Sequence, residues 1–380
     1  MKTEGEKQTT TNLCSCGTEP GTDTGCCGTS ASSGPCSCVP GGDQGEAPPV
    51  PEGIPAVVVP LTSELTSADR FDHLLARWGV NRTGHRRDPG LYAIGNPSPD
   101  SPVVVTANYT LSVDAVRSAI AGIDCYLLVL DTQGINVWCA AGKGTFGTAE
   151  LVRRIALTGL PSVVSHRTLI LPQLGAPGIA AHEVRRRTGF RVEYGPVRAG
   201  DLPDYLQTRT CTPEMRRVRF PPRDRGVLIP VELVYILPYT LVVSAILWLV
   251  AGPLAGLAAV AAVLAGTVLF PLALPVIPFQ DYTIKGFLLG GLVALPFAGA
   301  AVTLSPGPPW AGWIAALAGM LTMSTSTAYL ALNFTGATPF TSRTGVRTEI
   351  FRYVPALVTL FGSGCILMAA LGVLRLAGMW

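Results

Sequence analysis

The chain has 380 residues, enough for about two domains, with 48% hydrophobic and only 14% charged residues and a mean hydropathy of +0.39. This is too apolar for a purely soluble protein, and the apolarity is concentrated after residue 230. A net charge of +3 is too small to suggest a nucleic-acid partner, and no basic–aromatic RNA motif is present.

Residues 1–53 are mostly Gly, Ser, Thr, Pro and Glu. Such a segment cannot bury enough apolar surface to offset its ordering entropy, so a tail without fixed structure is expected. Met1 to Thr11 has no apolar core, so no signal peptide is expected and the soluble part should stay in the cytoplasm. The tail carries Cys14, Cys16, Cys26, Cys27, Cys36 and Cys38, six of the ten cysteines. A reducing cytoplasm disfavours disulfides. The spacing does not fit a Cys-x-x-Cys zinc or iron–sulfur framework. Flexible, closely paired thiolates suit soft ions such as Hg(II), Cu(I) or arsenite.

From about residue 54 to 208, apolar runs alternate with helix patterns. Pro102 to Val105 reads as a buried strand ending at Thr106-Ala107-Asn108. Ser112 is placed to cap a helix with Asp114 in its first turn, Val113, Val116 and Ile120 on one face and Gly122 as its stop. A second strand, Tyr126 to Leu130, ends at Asp131.

The block Asn136-Val137-Trp138-Cys139-Ala140-Ala141-Gly142-Lys143-Gly144 follows. A loop at the C-terminal end of such a strand is where open α/β sheets bind ligands. Its small residues would let a large flat ligand lie against the backbone, and Cys139 offers a soft, strongly donating metal ligand. The spacing Gly142-x-Gly144-x-x-Gly147 imitates a dinucleotide fingerprint, but that motif follows its strand directly. Lys143 precedes Gly144 rather than Ser or Thr, which excludes a P-loop.

Thr148 is placed to cap the next helix, with Glu150 near its positive end and Gly159 and Pro161 after it. Thr168 to Leu171 is a third strand, followed by a loop from Pro172 to Gly178 around Gly175. A helix through Ala180 to Thr188 stops at Gly189, and Phe190, Val192 and Tyr194 alternate as a last strand. This order implies a mostly parallel sheet with helices on both faces. His166 and His182 match no ligand motif and read as surface histidines.

Residues 209–230 form a basic linker with Arg209, Arg216, Arg217, Arg219, Arg223 and Arg225. Residues 231–380 hold five stretches that can cross about 30 Å of hydrocarbon: Val231 to Val250, Pro253 to Leu274, Ile284 to Leu304, Trp310 to Leu332 and Tyr353 to Met379. Lys285 falls in the loop after the second, and Arg343, Arg347 and Arg352 after the fourth. The loops on the other side carry no charge, so the positive-inside rule places the N-terminal domain in the cytoplasm and Trp380 outside. A multi-pass protein of the cytoplasmic membrane is expected.

The run Asn136 to Lys143 closely resembles the cap segment of the mercury-methylating corrinoid proteins, the HgcA family, whose pattern is Asn-(Val/Ile)-Trp-Cys-Ala-(Ala/Ser)-Gly-Lys. About residues 78 to 206 also look like the corrinoid domain of the corrinoid iron–sulfur protein large subunit. That resemblance rests on Val104 to Leu111, on Asp131-Thr132-Gln133-Gly134 and on the loop around Gly175. Together they imply a Rossmann-like, corrinoid-binding α/β domain joined to a five-helix transmembrane domain. Cys139 would be the lower axial ligand of the cobalt of cobalamin or a related corrinoid. Asn136 to Gly144 and Gly175 would seat the corrinoid, with Thr106, Asn108, Thr132 and Gly134 as candidate contacts to its amide side chains. The implied activity is methyl transfer to a Hg(II)–thiol substrate, forming methylmercury, with the tail cysteines capturing Hg(II). A methyltetrahydrofolate-dependent methyltransferase would supply the methyl group and a ferredoxin-like iron–sulfur protein the electrons. The alternatives are a membrane-anchored corrinoid methyl carrier for another acceptor and a non-enzymatic soft-metal-binding membrane protein.

Overall fold

A computed structural model describes residues 57–81, 84–305, 307–334 and 343–379. The tail, with Cys14, Cys16, Cys26, Cys27, Cys36 and Cys38, and Trp380 lie outside the described residues.

The strands β1 (Val58–Pro60), β2 (Gly90–Ile94), β3 (Val103–Ala107), β4 (Cys125–Leu130), β5 (Thr168–Leu171) and β6 (Arg191–Tyr194) form one sheet in the order β1-β2-β4-β3-β5-β6. The four from β3 to β6 run parallel. β2 is antiparallel to β4 and β1 parallel to β2, so the sheet is mixed rather than a uniformly wound parallel one. The sequence hides the two reversed strands: β1 has three residues ending in Pro60, and β2 opens on Gly90 directly after Pro89. The chain steps from β3 to β4 on one side and then to β5 on the other. The strand order therefore reverses between β3 and β5, the place where open α/β sheets hold ligands.

Helices cover both faces: α1 (Ser67–Arg77), α2 (Thr110–Ala119), α3 (Val137–Lys143), α4 (Thr148–Leu157), α5 (Leu160–Val163), α6 (Ala181–Thr188) and α7 (Leu202–Thr208). Alternate strand residues point to opposite faces. Val103, Val105, Leu128 and Leu130 pack with Leu151 and Ile155 of α4 and Val184 of α6. Val104, Leu127, Val129 and Ile170 pack with Val113 of α2 and Leu202 and Tyr205 of α7. Burial on both faces is why these strands read as continuous apolar runs.

α1 attaches by charge. Asp114 of α2 is fully buried; it accepts from Arg117 Nε at 2.6 Å and Arg87 Nη2 at 3.3 Å, and lies 2.8 Å from His73 Nε2. Arg117 Nη2 is 2.7 Å from Asp69, and its Nη1 donates to the carbonyls of Thr62 and Glu64. Burial alone would raise the Asp69 carboxyl, but bonds from the Thr66 amide, the Arg117 guanidinium and the Thr66 hydroxyl outweigh it and hold its pKa at about 2, from 3.8. His85 has Asp72 2.7 Å from Nδ1 and the Val80 carbonyl 2.6 Å from Nε2. Burial would lower its pKa, but two acceptors require both nitrogens to donate, so the pKa rises above 6.5.

The two shifts act at opposite ends of the pH scale. The depressed Asp69 contributes about 2 kcal/mol above its unfolded pKa, lost as pH falls from 3.8 through about 2. The raised His85 contributes fully below 6.5, and that contribution is lost as pH rises through its folded pKa. The urea midpoint of the full chain should therefore decline at both ends, and Asp69→Asn should flatten the acid limb alone.

The C-terminal region holds α8 (Pro222–Gly226), α9 (Ile229–Ala251), α10 (Pro253–Leu264), α11 (Phe270–Ala273), α12 (Tyr282–Leu304), α13 (Pro309–Phe334) and α14 (Arg343–Leu376). Among the described residues, five segments are long and apolar enough to cross a membrane: Pro222–Ala251, Pro253–Ala273, Tyr282–Leu304, Pro309–Phe334 and Gly345–Leu376. α12 and α13 approach through small residues. A Cβ on Gly286 would lie 2.4 Å from Ala331 Cβ, and one on Gly290 would lie 2.8 Å from Ser324 Cα. Such spacing lets backbones meet where apolar side chains gain little from leaving lipid.

Buried charges at one end of this bundle cap helices. Arg225 Nη1 donates to the carbonyls of Pro271 and Leu272, and Lys285 Nζ donates to that of Leu274, all around the C-terminal end of α11. Glu349 accepts from the amide and hydroxyl of Thr283 at the start of α12. Lys285 is thus buried in the first turns of α12, not in a loop as its sequence position suggested, because free helix carbonyls draw it inward.

Candidate functional site

The C-terminal ends of β3, β4 and β5 bring three loops together: Thr106 to Asn108, Asp131 to Gly134, and Pro172 to Gly178, the last wound as a 3₁₀ turn over Gln173–Gly178. One buried side chain ties the first two. Asn108 Oδ1 accepts from the Thr132 amide at 3.1 Å, the Thr132 hydroxyl at 2.8 Å and the Gly134 amide at 3.0 Å. Its Nδ2 donates to Asp131 at 3.3 Å.

Asn108, Thr132 and Gly134 are among the residues expected to meet a ligand. Asn108 and Thr132 are 1% and 0% exposed, and their polar groups, with the Gly134 amide, bond to one another. Through these bonds they fix the shape of the loops. Thr106, also 1% exposed, lines the cavity described below.

α3 carries the conspicuous block. Asn136 is its N-cap, with its side-chain oxygen accepting from the Cys139 amide at 2.9 Å. Gly144 ends it at φ +86°, a left-handed conformation that favours glycine. Ala140 and Ala141 are buried in the core beside Phe146, while Val137, Trp138 and Cys139 are half-buried. Gly142, Lys143 and Gly144 are exposed, and nothing lies within 4 Å of a Cβ built on Gly142 or Gly144. The helix therefore has one face packed into the domain and one open.

The 3₁₀ turn presses on its packed face. A Cβ on Gly178 would fall 2.1 Å from the Phe146 carbonyl oxygen and 3.1 Å from Ala141 Cα, and one on Gly175 would meet the Phe146 ring at 2.5 Å. The Thr148 hydroxyl accepts from the Ala180 amide at 2.8 Å, so it ties this turn to α4 instead of capping α4, whose N-cap is Gly147. Gly178→Ala should push α3 off its seat, costing about 1–3 kcal/mol as overpacking. Denaturant unfolding would read that loss. An unchanged midpoint would show that the turn and α3 are not locked together.

An apolar cavity of about 320 Å³ lies at the β3/β5 reversal. Its walls include Thr106, Asn136, Val137, Trp138, Pro172 and Leu174, with Ser112, Ala115 and Val116 of α2 opposite. A second cleft of about 630 Å³ over β5 and β6 carries Arg191, Arg209, Arg216 and His166. His166 Nε2 is 2.8 Å from the Ser101 carbonyl and its Nδ1 accepts from the Thr168 amide, while His182 is exposed. Cys125, the first residue of β4, is buried in the core, and that burial pushes its thiol up to about 12. Among the described residues no three His, Cys, Asp or Glu side chains gather as a metal site.

Sequence reasoning found α3 and its neighbouring loops. It missed the Asn108 hub and Gly178, which act on residues far away along the chain.

Residues 79–206 match the family model described as CO dehydrogenase/acetyl-CoA synthase delta subunit. The chain is 39% identical over 123 residues to the acetyl-CoA decarbonylase/synthase complex subunit gamma of Methanopyrus kandleri, covering 32% of this chain and 26% of that protein. It is 35% identical over 128 residues to the subunit gamma of Archaeoglobus fulgidus, covering 33% and 27%. It is 36% identical over 134 residues to that of Methanosarcina acetivorans, also covering 33% and 27%. The chain thus spans about a quarter of the length of these relatives. The family model names a delta subunit and the relatives a gamma subunit, so the likeness is to this group of subunits rather than to one. These names overturn the assignment to the mercury-methylating family, and with it methyl transfer to Hg(II) and methylmercury as product. That resemblance rests on the eight residues Asn136 to Lys143, the N-cap and body of α3. The match covers the sheet from β2 to β6 and ends in α7, so the similarity resides in the α/β domain and its strand-end site.

Proposed function

We propose that this chain is a membrane-anchored, corrinoid-binding methyl carrier serving methyl transfer in acetyl-CoA metabolism. The observation that supports this most is the seat at the β3/β5 reversal, within the stretch similar to acetyl-CoA decarbonylase/synthase subunits. The residues suit a corrinoid. α3 offers an open, glycine-rich face, an apolar wall of Val137 and Trp138, and a half-buried thiol at Cys139. A bound corrinoid supplies a cobalt centre that takes up and gives away a methyl group.

The chain's own residues position that group. Val137 and Trp138, which line the cavity, would pack on a bound corrinoid and exclude water from it. Cys139 supplies a soft donor for the cobalt, and the Asn136 bond to its amide fixes where that donor stands. Exposed Lys143 would be available to an amide or phosphate of a bound corrinoid. Asn108, through Thr132 and Gly134, holds the β4 loop clear of the seat.

The five apolar helices anchor the module. Arg216, Arg217 and Arg219 precede the first, and by the positive-inside rule the α/β domain faces the cytoplasm in this reading. The methyl donor, the methyl acceptor and an iron–sulfur electron donor are separate partner proteins in this reading.

The test is transfer of a labelled methyl group. The full chain in detergent, loaded with isotopically labelled methylcobalamin, is mixed with an acetyl-CoA synthase, CO and CoA without oxygen. Labelled acetyl-CoA above the level given by unbound methylcobalamin supports the reading. No excess from a chain that holds the corrinoid would exclude this acceptor pathway.

A further inference from the structure

α1 docks on the α/β domain by its polar side. Helical spacing gathers Asp69, Asp72 and His73 on one side, where they meet Arg87, Arg117, Asp114 and His85. Phe71, Leu74 and Trp78 fall on the opposite side, 61%, 51% and 49% exposed, and no residue of α1 is buried. The usual amphipathic arrangement, with the apolar stripe on the core, is inverted.

The stripe continues toward the first apolar span. Gly79, directly after Trp78, approaches α9: a Cβ there would lie 3.2 Å from Val231 and 3.4 Å from the Tyr235 ring. α9 begins at Ile229, so this contact is with its first turns. Arg70 and Arg77 are exposed beside the stripe.

We propose that α1 lies in the cytoplasmic headgroup layer of the bilayer, with Phe71, Leu74 and Trp78 turned toward the acyl chains. The inference rests on the membrane reading above. Contact with the start of the first span sets the stripe at the level where that span leaves the lipid. Tryptophan is favoured at that depth, and arginines beside an apolar stripe reach back to anionic headgroups. α1 is tied through Asp114 to α2, and α2 lines the cavity at the seat. The lipid contact thereby sets how the corrinoid seat is held relative to the membrane.

The full chain, in nanodiscs of phosphatidylcholine and phosphatidylglycerol, tests this with lipids brominated near the glycerol end. The emission of Trp78 is read as the difference between wild type and Trp78→Phe, and that of Trp248, in the first span, from Trp248→Phe. Loss of most of the Trp78 emission on bromination is expected. Quenching of Trp248 but not Trp78 overturns the proposal and leaves the membrane reading standing. Quenching of neither overturns the membrane reading itself. If Trp78 becomes quenchable only after deletion of residues 1–56, or only on dilution, the tail or a second copy covers the stripe and the proposal fails.

Discussion

Asp114→Ala lowers the stability of the α/β domain by about 3–5 kcal/mol, the usual loss when one partner of a buried ion pair is removed. Asp114 is fully buried and is the shared acceptor for Arg117 and Arg87, with His73 at 2.8 Å. Its removal strands the Arg117 guanidinium, itself 1% exposed, with Asp69 as its remaining carboxylate. Asp114→Asn keeps an acceptor and the shape, and should lose less. Urea denaturation of the full chain in detergent measures both. A loss below about 1 kcal/mol, the range of surface ion pairs, would mean that this network does not hold α1 in place.

The second large effect is at the seat. Asn108→Leu orphans the Thr132 and Gly134 amides, while the Thr132 hydroxyl keeps the Ile135 carbonyl at 2.7 Å. Each buried amide left without an acceptor costs about 1–3 kcal/mol, so a total of about 2–6 kcal/mol is expected for the two. The β4 loop would also move into the seat, so cobalamin affinity should fall even at temperatures where the variant stays folded. Equilibrium dialysis against cobalamin separates the two effects. Unchanged affinity in a destabilised variant would confine Asn108 to a folding role.

What the sequence made legible was local. Asn136 to Gly144 stood out as a strand-end block, and its form as the helix α3, capped by Asn136 and ended by Gly144, came from the structure. Apolar length announced the five long helices, although the last begins well before Tyr353. Tertiary partners were not legible. Ser112 and Thr148 looked like caps, yet α2 starts at Thr110 after an extended Tyr109, and the Thr148 hydroxyl serves Ala180. Asn108 meets residues 24 and 26 positions away, and no spacing rule links them. β1 has only three residues, and β2 opens on Gly90 directly after Pro89 without polar alternation, so the mixed sheet could not be read from them. The α3 block misled in the same way: it described one helix well, but the acceptor it suggested was overturned by the similarity across residues 79–206.

The most direct test of the account is the optical spectrum of cobalamin bound to the full chain, wild type against Cys139→Ala, without oxygen. The account predicts near-stoichiometric binding by wild type, with a spectrum distinct from free cobalamin. That distinction should be altered or lost when the Cys139 thiol is removed while the fold is kept. A wild-type chain that retains no cobalamin would contradict the corrinoid seat itself, and identical spectra for the two chains would contradict the donor role of Cys139.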